Sequence, residues 1–318
     1  MQPLVSINCI TYNHEKYIRQ ALDSFLMQKT NFKYEILIHD DASTDNTAEI
    51  IREYCKKYPN VIKPILQKEN QQSKGIKKIS YKFNHLRAQG KYIAICEGDD
   101  YWIDPYKLQK QIDYLESNPE CGMCFHAANI VNSDNKIKKN IRPFTMNKVC
   151  STEDIIIGGG GLCPTQSIVY RKQVFDDAPQ FYFDAPVGDY PLQIITASKQ
   201  YSYYIDDVMS SYRKVVKSGT SWSSTNKSKE SNIKLIDQLN DMLKKFNEYS
   251  NYMHNDAIEL TMLSNNFNKL ILEGKYSEIM DGKYKKYYQS KSVLDKIKIN
   301  IRCLFPTVYS KLIEYRYN

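Results

Sequence analysis

The chain has 318 residues, 42% hydrophobic and 25% charged, a balance that suits a folded globular protein and excludes a disordered, collagenous or wholly membrane-embedded one. No apolar run approaches the roughly 18 residues of a membrane span, and Met1 to Thr11 reads as a strand rather than a signal sequence, so the expected location is the cytoplasm. The net charge of +8 is uneven: residues 283–318 hold nine Lys or Arg against Asp295 and Glu314, leaving a nearly neutral body and a basic tail.

Leu4 to Ile10 is a short apolar run with strand character, and His14 to Gln28 then places Tyr17, Ile18, Ala21, Leu22, Phe25 and Leu26 on one helical face. Glu35 to His39 gives a second strand. After the turn Asp40 to Thr44, a helix buries Ile50, Ile51, Tyr54 and Cys55. Val61 to Leu66 is a third strand, a helical stretch passes through Ile79, Phe83 and Leu86, and Lys91 to Cys96 is a fourth strand. Alternating β and α segments with continuous apolar strands imply a mostly parallel sheet covered on both faces.

Further on, Asp104-Pro105 reads as a helix start leading through Leu108, Ile112 and Leu115. Cys121 to Val131 and Ser167 to Tyr170 read as strands, Ser151 to Ile157 as a short helix, and Gly158 to Gly161 as a loop. Gly188-Asp189-Tyr190-Pro191 opens another helix, and Tyr203 to Tyr212 is strand-like. Beyond Trp222 the chain turns to Lys- and Asn-rich helical segments, which places a boundary near 226. The eight cysteines lie in apolar stretches and read as reduced core residues. Cys121-Gly-Met-Cys124 lacks the second pair that a zinc site needs.

In open α/β sheets the ligand crevice lies beyond the carboxyl ends of the strands. Those ends carry Thr11-Tyr12-Asn13, Asp40-Asp41 and Glu97-Gly98-Asp99-Asp100, five carboxylates on one edge. Acidic side chains crowded at one turn repel unless something positive sits among them, and Mg²⁺ or Mn²⁺ prefers such oxygen ligands. A solvated loop or a pair of helix caps is the alternative. Asp40 and Asp41 can cap the next helix or accept a hydrogen bond from a base or ribose; Ser43 and Asp45 offer to do the capping instead.

The blocks SINCITYNHEKYI, YEILIHDDASTDNT, GKYIAICEGDDYWIDPYKLQKQ and GDYPL, in this order over residues 3–222, resemble glycosyltransferase family 2, enzymes of the GT-A fold that transfer a sugar from a nucleotide diphosphate with inversion. The resemblance implies a GT-A type α/β sheet in a catalytic domain at residues 1–225, with a nucleotide-binding part at about 1–104 and an acceptor part at 105–225. A basic, mainly helical extension occupies residues 226–318. It places Thr11, Tyr12, Asn13 and Asp41 at the base and ribose, Asp99 at the metal, and Asp189 as the catalytic base, with Asp184 as the other candidate. Glu97 stands where the family's first motif aspartate is expected. Gly98 and Asp100 complete that donor turn.

Lys74, Lys77 and Lys78 fall where the family often places a basic residue near the donor, with solvated surface lysines as the alternative. Arg213 falls where a phosphate fork is expected, and Trp102 and Trp222 where an acceptor ring can stack, unless they are core residues. Asp189 is also a helix-start residue, where the helix dipole would lower its basicity. The five histidines show no ligand spacing and are assigned no chemistry.

The expected activity is transfer from a UDP-sugar, with Mn²⁺ or Mg²⁺, to a saccharide or lipid-linked saccharide in cell-surface polysaccharide synthesis; nucleic acid is not expected as a partner. A dehydrogenase or a nucleotidyltransferase would need a glycine-rich turn after the first strand, and Thr11 to Glu15 has no glycine. A catalytically silent sugar-nucleotide-binding or scaffolding protein of the same fold is the competing reading. On a helix from Ser292 to Leu304, Val293, Leu294, Ile297, Ile301 and Leu304 form one stripe, with Lys291, Lys298 and Arg302 on or beside the other face. That pattern suits an anionic membrane at the inner face of the cell; the alternative is a stripe packed on the catalytic domain.

Overall fold

The computed structural model describes residues 2–214 and 228–305. Trp222, Pro306 and the last basic residues lie outside the described residues. Strand β1 (Val5–Thr11) leads to α1 (Ile18–Leu26), β2 (Tyr34–Asp40) to α2 (Thr47–Lys57), and β3 (Ile62–Leu66) to a π-helical turn, Ser80–His85, before β4 (Tyr92–Ile95). Then come β5 (Tyr101–Trp102), α3 (Lys107–Ser117), β6 (Cys121–Val131), β7 (Ile137–Ile141), β8 (Lys148–Cys150) and α4 (Thr152–Gly158). After β9 (Val169–Arg171) follow α5 (Lys172–Phe175), α6 (Gln180–Asp184), α7 (Asp189–Lys199) and the long β10 (Tyr201–Arg213).

Among the described residues these strands form one ten-stranded sheet, in the order β3-β2-β1-β4-β9-β6-β10-β5, with β7 on β6 and β8 on β10. β3, β2, β1 and β4 run parallel, as the continuous apolar strands imply, whereas β9 joins β4 and β6 in antiparallel pairs. The sheet is therefore mixed, with antiparallel pairs at β5, β7, β8 and β9 beside the parallel ones. α3 begins at Lys107 instead of Pro105, since the Asp104 carboxylate closes a turn on the Tyr106 N–H at 2.7 Å.

Alternation along the strands feeds two cores. Tyr92 and Ala94 face α1 and α3 with Val5, Ile7, Phe25, Trp102 and Ile112, while Ile93 and Ile95 face the other side with Phe125, Ile195 and Tyr204. Cys121 and Cys124 are both buried free thiols on β6, in line with the two-thiol reading.

The helical extension comprises α8 (Lys229–Tyr249), α9 (Asn255–Glu273), α10 (Tyr276–Ile279), α11 (Gly282–Gln289) and α12 (Val293–Leu304). Its first two helices enter the second core: Met242, Leu243, Phe246, Ala257 and Ile258 pack with Tyr182, Tyr190 and Ile195. His254 meets Glu153 of α4 at 2.5 Å, pinning the α8–α9 turn. Phe246→Ala therefore empties a fully buried site and is expected to lower unfolding free energy by about 3–5 kcal/mol in a urea titration. The exposed Met253→Ala serves as control, with an expected change under about 0.5 kcal/mol.

Candidate active site

Parallel pairing of β1 with β4 matches Val5 to Tyr92 and Asn8 to Ile95, and the ladder continues through Cys96 N–H to the Asn8 carbonyl and Gly98 N–H to the Ile10 carbonyl at 3.0 Å. This register sets Gly98 directly against Thr11. A Cβ at Gly98 would lie 2.7 Å from Thr11 Oγ1 and 3.0 Å from Ile18 Cδ1. The turn Glu97–Asp100 thus packs on the end of β1, with Asp99 and Asp100 buried.

Asp99 Oδ1 and Thr11 Oγ1 are buried and have no hydrogen-bond partner among the described residues. His14 Nε2 stands 3.9 Å from Asp99 Oδ2. Burial, then Asp99 and Asp189, push the Glu97 carboxyl above its ordinary range, and burial with Asp99 does the same to Asp100. Ionising these carboxyls together is therefore costly unless a positive partner joins them.

Just past β1, Asn13 adopts φ +55°, its N–H donates to Ser43 Oγ at 2.9 Å, and its side-chain oxygen accepts the Thr44 N–H at 2.8 Å. Tyr12 beside it is 37% exposed. Asp45 takes the Thr47 N–H at the start of α2, as its position allowed. Both members of the preceding pair are nonetheless engaged: Asp40 accepts from the Ser43 N–H and hydroxyl, and Asp41 from the Gln71 and Gln72 N–H groups at 2.8 and 3.1 Å. Each Asp41 oxygen keeps a second lone pair for a further donor.

On the other side, Asp189 is the first residue of α7, behind Gly188 at the N-cap. Its carboxylate accepts the Tyr190 N–H at 2.8 Å and the Thr165 hydroxyl at 3.3 Å. Burial raises its pKa in spite of these bonds and of Lys78, so desolvation outweighs the basicity-lowering effect expected from the helix start. Lys78, at φ +54°, donates to the Ala185 carbonyl at 2.8 Å and to the Val187 carbonyl, and burial brings its pKa down to about 8. It ties the segment after β3 to the loop that precedes Asp189.

Several expected ligands sit elsewhere. Arg213 is 1% exposed, with Nε on the Asp99 carbonyl, Nη1 on Asn135, Nη2 on Gln20 and its guanidinium 4.4 Å from the Tyr17 ring centroid. Its donors are committed to protein acceptors, so the phosphate fork is corrected to a brace beneath the acidic turn. Trp102 is also buried, donating its indole N–H to the Gln166 carbonyl under Phe25 and Lys107; it offers no face for stacking and is a core residue. Lys74 pairs with Glu69 on the surface and Lys77 is exposed, which is the solvated-lysine alternative. Trp222 lies outside the described residues.

Asp184 is exposed at the end of α6, beside a groove of about 550 Å³ that Phe181 and Ala185 share with Glu230, Asp237 and Met242 of α8. No local pattern pointed to His14 or to the backbone clamp by Lys78. His14 is 85 positions from Asp99, and only the β1–β4 register brings the two together. Among the described residues no three His, Cys, Asp or Glu side chains form a ready-made metal cage.

Residues 6–177 match the model of glycosyl transferase family 2. The chain belongs to this family. Rv1520 of Mycobacterium tuberculosis, an uncharacterized protein, is 42% identical over 176 residues, which are 55% of this chain and 49% of the relative. The uncharacterized glycosyltransferase alr2836 of Nostoc sp. is 29% identical over 174 residues, 54% of this chain and 52% of that one. The chain thus spans about half the length of these curated relatives.

Among solved structures, S. aureus TarS 1-349 in complex with UDP-GlcNAc superposes with a TM-score of 0.61 at 17% identity, covering 94% of this chain and 79% of that one. The mannosyltransferase PcManGT from Pyrobaculum calidifontis, in complex with GDP-Man and Mn²⁺, gives 0.54 at 15% identity, covering 96% and 88%. The family 2 fold is the GT-A fold expected from the sequence blocks.

Gly98→Ala forces a methyl group into the end of β1 and is expected to cost about 1–3 kcal/mol of unfolding free energy. Gly161→Ala, with nothing within 4 Å of the added carbon, should leave the denaturation midpoint in place.

Proposed function

We propose that the chain is a glycosyltransferase that moves a sugar from a nucleotide diphosphate donor, a UDP-sugar by default, to a hydroxyl of a saccharide or lipid-linked saccharide in cell-surface polysaccharide synthesis. The observation that carries this reading is the buried, unpartnered Asp99 oxygen in an acidic turn whose electrostatic field reaches Asp189 through Glu97. The nucleotide sugars named with the two structural neighbours support the donor class. The catalytic part is residues 1–225, with 1–104 taking the donor and 105–225 the acceptor, and residues 226–318 form the extension.

The residues at the turn suit a divalent cation. Asp99 offers a buried oxygen with no other partner, Glu97 stands beside it, and ionising the turn's carboxyls together is a cost that a cation offsets. Mg²⁺ and Mn²⁺ complete their shells with substrate phosphates, so one or two protein carboxylates suffice; the Mn²⁺ named with PcManGT supports this choice. When bound, the cation would supply charge neutralisation at the departing diphosphate.

The protein's own residues do the rest on this reading. Tyr12, Asn13 and the spare lone pairs of Asp41 hold the nucleotide. Gly98 lets the turn lie close to Thr11. Asp189, its basicity raised by burial, takes the proton from the acceptor hydroxyl as that oxygen forms its bond to the anomeric carbon and the bond to the diphosphate breaks. Attack opposite the leaving group inverts the anomeric centre. Lys78 holds Ala185 and Val187, and with them the backbone leading to Asp189. The setting is the inner face of a membrane that presents the acceptor.

Asp99→Ala is expected to abolish Mn²⁺-dependent binding of donor in calorimetry while the thermal unfolding transition persists. Retention of metal-dependent affinity would remove Asp99 from the metal role. Asp189→Asn should bind donor with unchanged affinity yet transfer at least about a hundredfold more slowly, the usual loss when a general base is deleted. The anomeric configuration of the product, read by NMR, must be inverted; retention would exclude this mechanism.

A further inference from the structure

α12 is amphipathic in a way that packing on the protein does not use up. Ile299 and Cys303 turn inward onto a small cluster with Phe267, Ile271, Ile279 and tyrosines of α10 and α11. The other side carries Val293, Leu294 and Ile297, which are 73%, 69% and 49% exposed, and Phe305 just past the helix is 58% exposed. At 100° per residue, Val293, Leu294, Ile297 and Ile301 fall within one arc of about 100°, so these exposures describe a continuous stripe. The alternative reading of this stripe, packing on the catalytic domain, is not what the described residues show.

Charge narrows what can cover it. Residues 282–305 carry seven Lys or Arg against the single Asp295. Lys296 and Lys298 flank the stripe on opposite sides, and Lys283, Lys285 and Lys286 are exposed on the neighbouring α11. A second copy laid stripe to stripe would set these lysines against their equals. A polyanion without an apolar component would leave the aliphatic side chains in water. An anionic lipid surface satisfies both demands, since aliphatic side chains sink below the headgroups while lysine stems reach back up to the phosphates.

We propose that the α11–α12 hairpin docks the protein on an anionic lipid bilayer through Val293, Leu294, Ile297 and Phe305, flanked by Lys296 and Lys298. This rests on the transferase reading only for its purpose, which is to bring the site to a lipid-held acceptor; the surface itself is separate from the donor site.

The test is co-sedimentation of the full chain with equimolar phosphatidylglycerol and phosphatidylcholine vesicles, and with phosphatidylcholine alone, at low and high salt. The expected result is binding at least about tenfold stronger to the anionic vesicles and weakened by salt. Leu294→Glu with Ile297→Glu, and separately Lys296→Glu with Lys298→Glu, should each weaken it about tenfold while circular dichroism and melting temperature hold. Both pairs lie on partly or fully exposed positions, so either one keeps the test open should the other misfold.

Wild-type protein that stays in the supernatant with anionic vesicles overturns the proposal, as do variants that sediment like wild type. A dimer in light scattering that Leu294→Glu with Ile297→Glu dissolves, without vesicle binding, also overturns it and assigns the stripe to a second copy. Nucleoside diphosphate release from donor, measured in solution on the same samples, reports on the transferase reading alone. Vesicle binding without any such release would count against that reading and leave the docking surface standing.

Discussion

Crowded negative charge at the end of β4 is the constraint around which the rest of the site is arranged. Glu97, Asp99 and Asp100 occupy three of the four positions of one turn, the last two buried, and Asp189 adds its field to that of Glu97. Such a turn would swing outward if nothing held it. Arg213 holds it from below, its backbone N–H on the Asp100 carboxylate at 2.7 Å and its Nε on the Asp99 carbonyl, and leaves Asp99 Oδ1 without a hydrogen-bond partner while His14 Nε2 stands 3.9 Å from Oδ2. The nearest arginine thus serves the shape of the turn, and on the proposed function the free Asp99 oxygen would face the cation.

The strand on which that turn packs is tied to the loop before Asp189 through an irregular helix. The π-helical turn Ser80–His85 places Asn84 so that its amide donates to the Asn8 side chain and to the carbonyls of Cys9 and Leu37, which fastens it to β1 and β2. From the same turn, Tyr81 reaches the Asp176 carbonyl and His85 bonds Tyr170 and Asp176. Lys78, just upstream, holds the carbonyls before Asp189. One short segment, Lys78 to His85, is thus hydrogen-bonded both to β1 and to the loop that precedes Asp189, and polar staples of this kind have few alternative arrangements inside a packed core.

The first four strands were readable because they are short and rich in apolar residues, and the acidic turn because carboxylates at a strand end have few structural uses. Arg213 was misread for a related reason: a cation one residue past a binding edge looks like a phosphate ligand, and only the packing of Tyr17, Tyr101 and Asn135 around it shows otherwise. Trp102 follows the acidic turn by two residues, yet its pairing with β10 turns it into the core. His14 and the Lys78 clamp depend on contacts across 85 and more than 100 positions, which no local pattern encodes. The α12 stripe was visible as a pattern, but which of its two faces meets the protein depends on the tyrosines of α10 and α11.

The extension cannot be treated as an appendage to a finished catalytic unit. Tyr190, the residue after Asp189, lies in one apolar cluster with Met242, Leu243 and Phe246 of α8, and its hydroxyl donates to the Ile156 carbonyl, which also accepts from Thr261 of α9. The first turn of α7 is thus seated on the extension as much as on the sheet. α8 also forms one wall of the groove beside Asp184, and the carboxylates of Glu230, Asp237 and Asp241 outnumber Lys234 and Lys245 along it. Two of these carboxylates are paired, Asp237 with Lys269 of α9 and Asp241 with Lys245 on α8 itself, so the wall is polar and nearly neutral. α8 and α9 lie outside residues 6–177 that the family model matches. The seat of the first turn of α7, and with it the position of Asp189, is therefore built in part by helices that the family match does not cover.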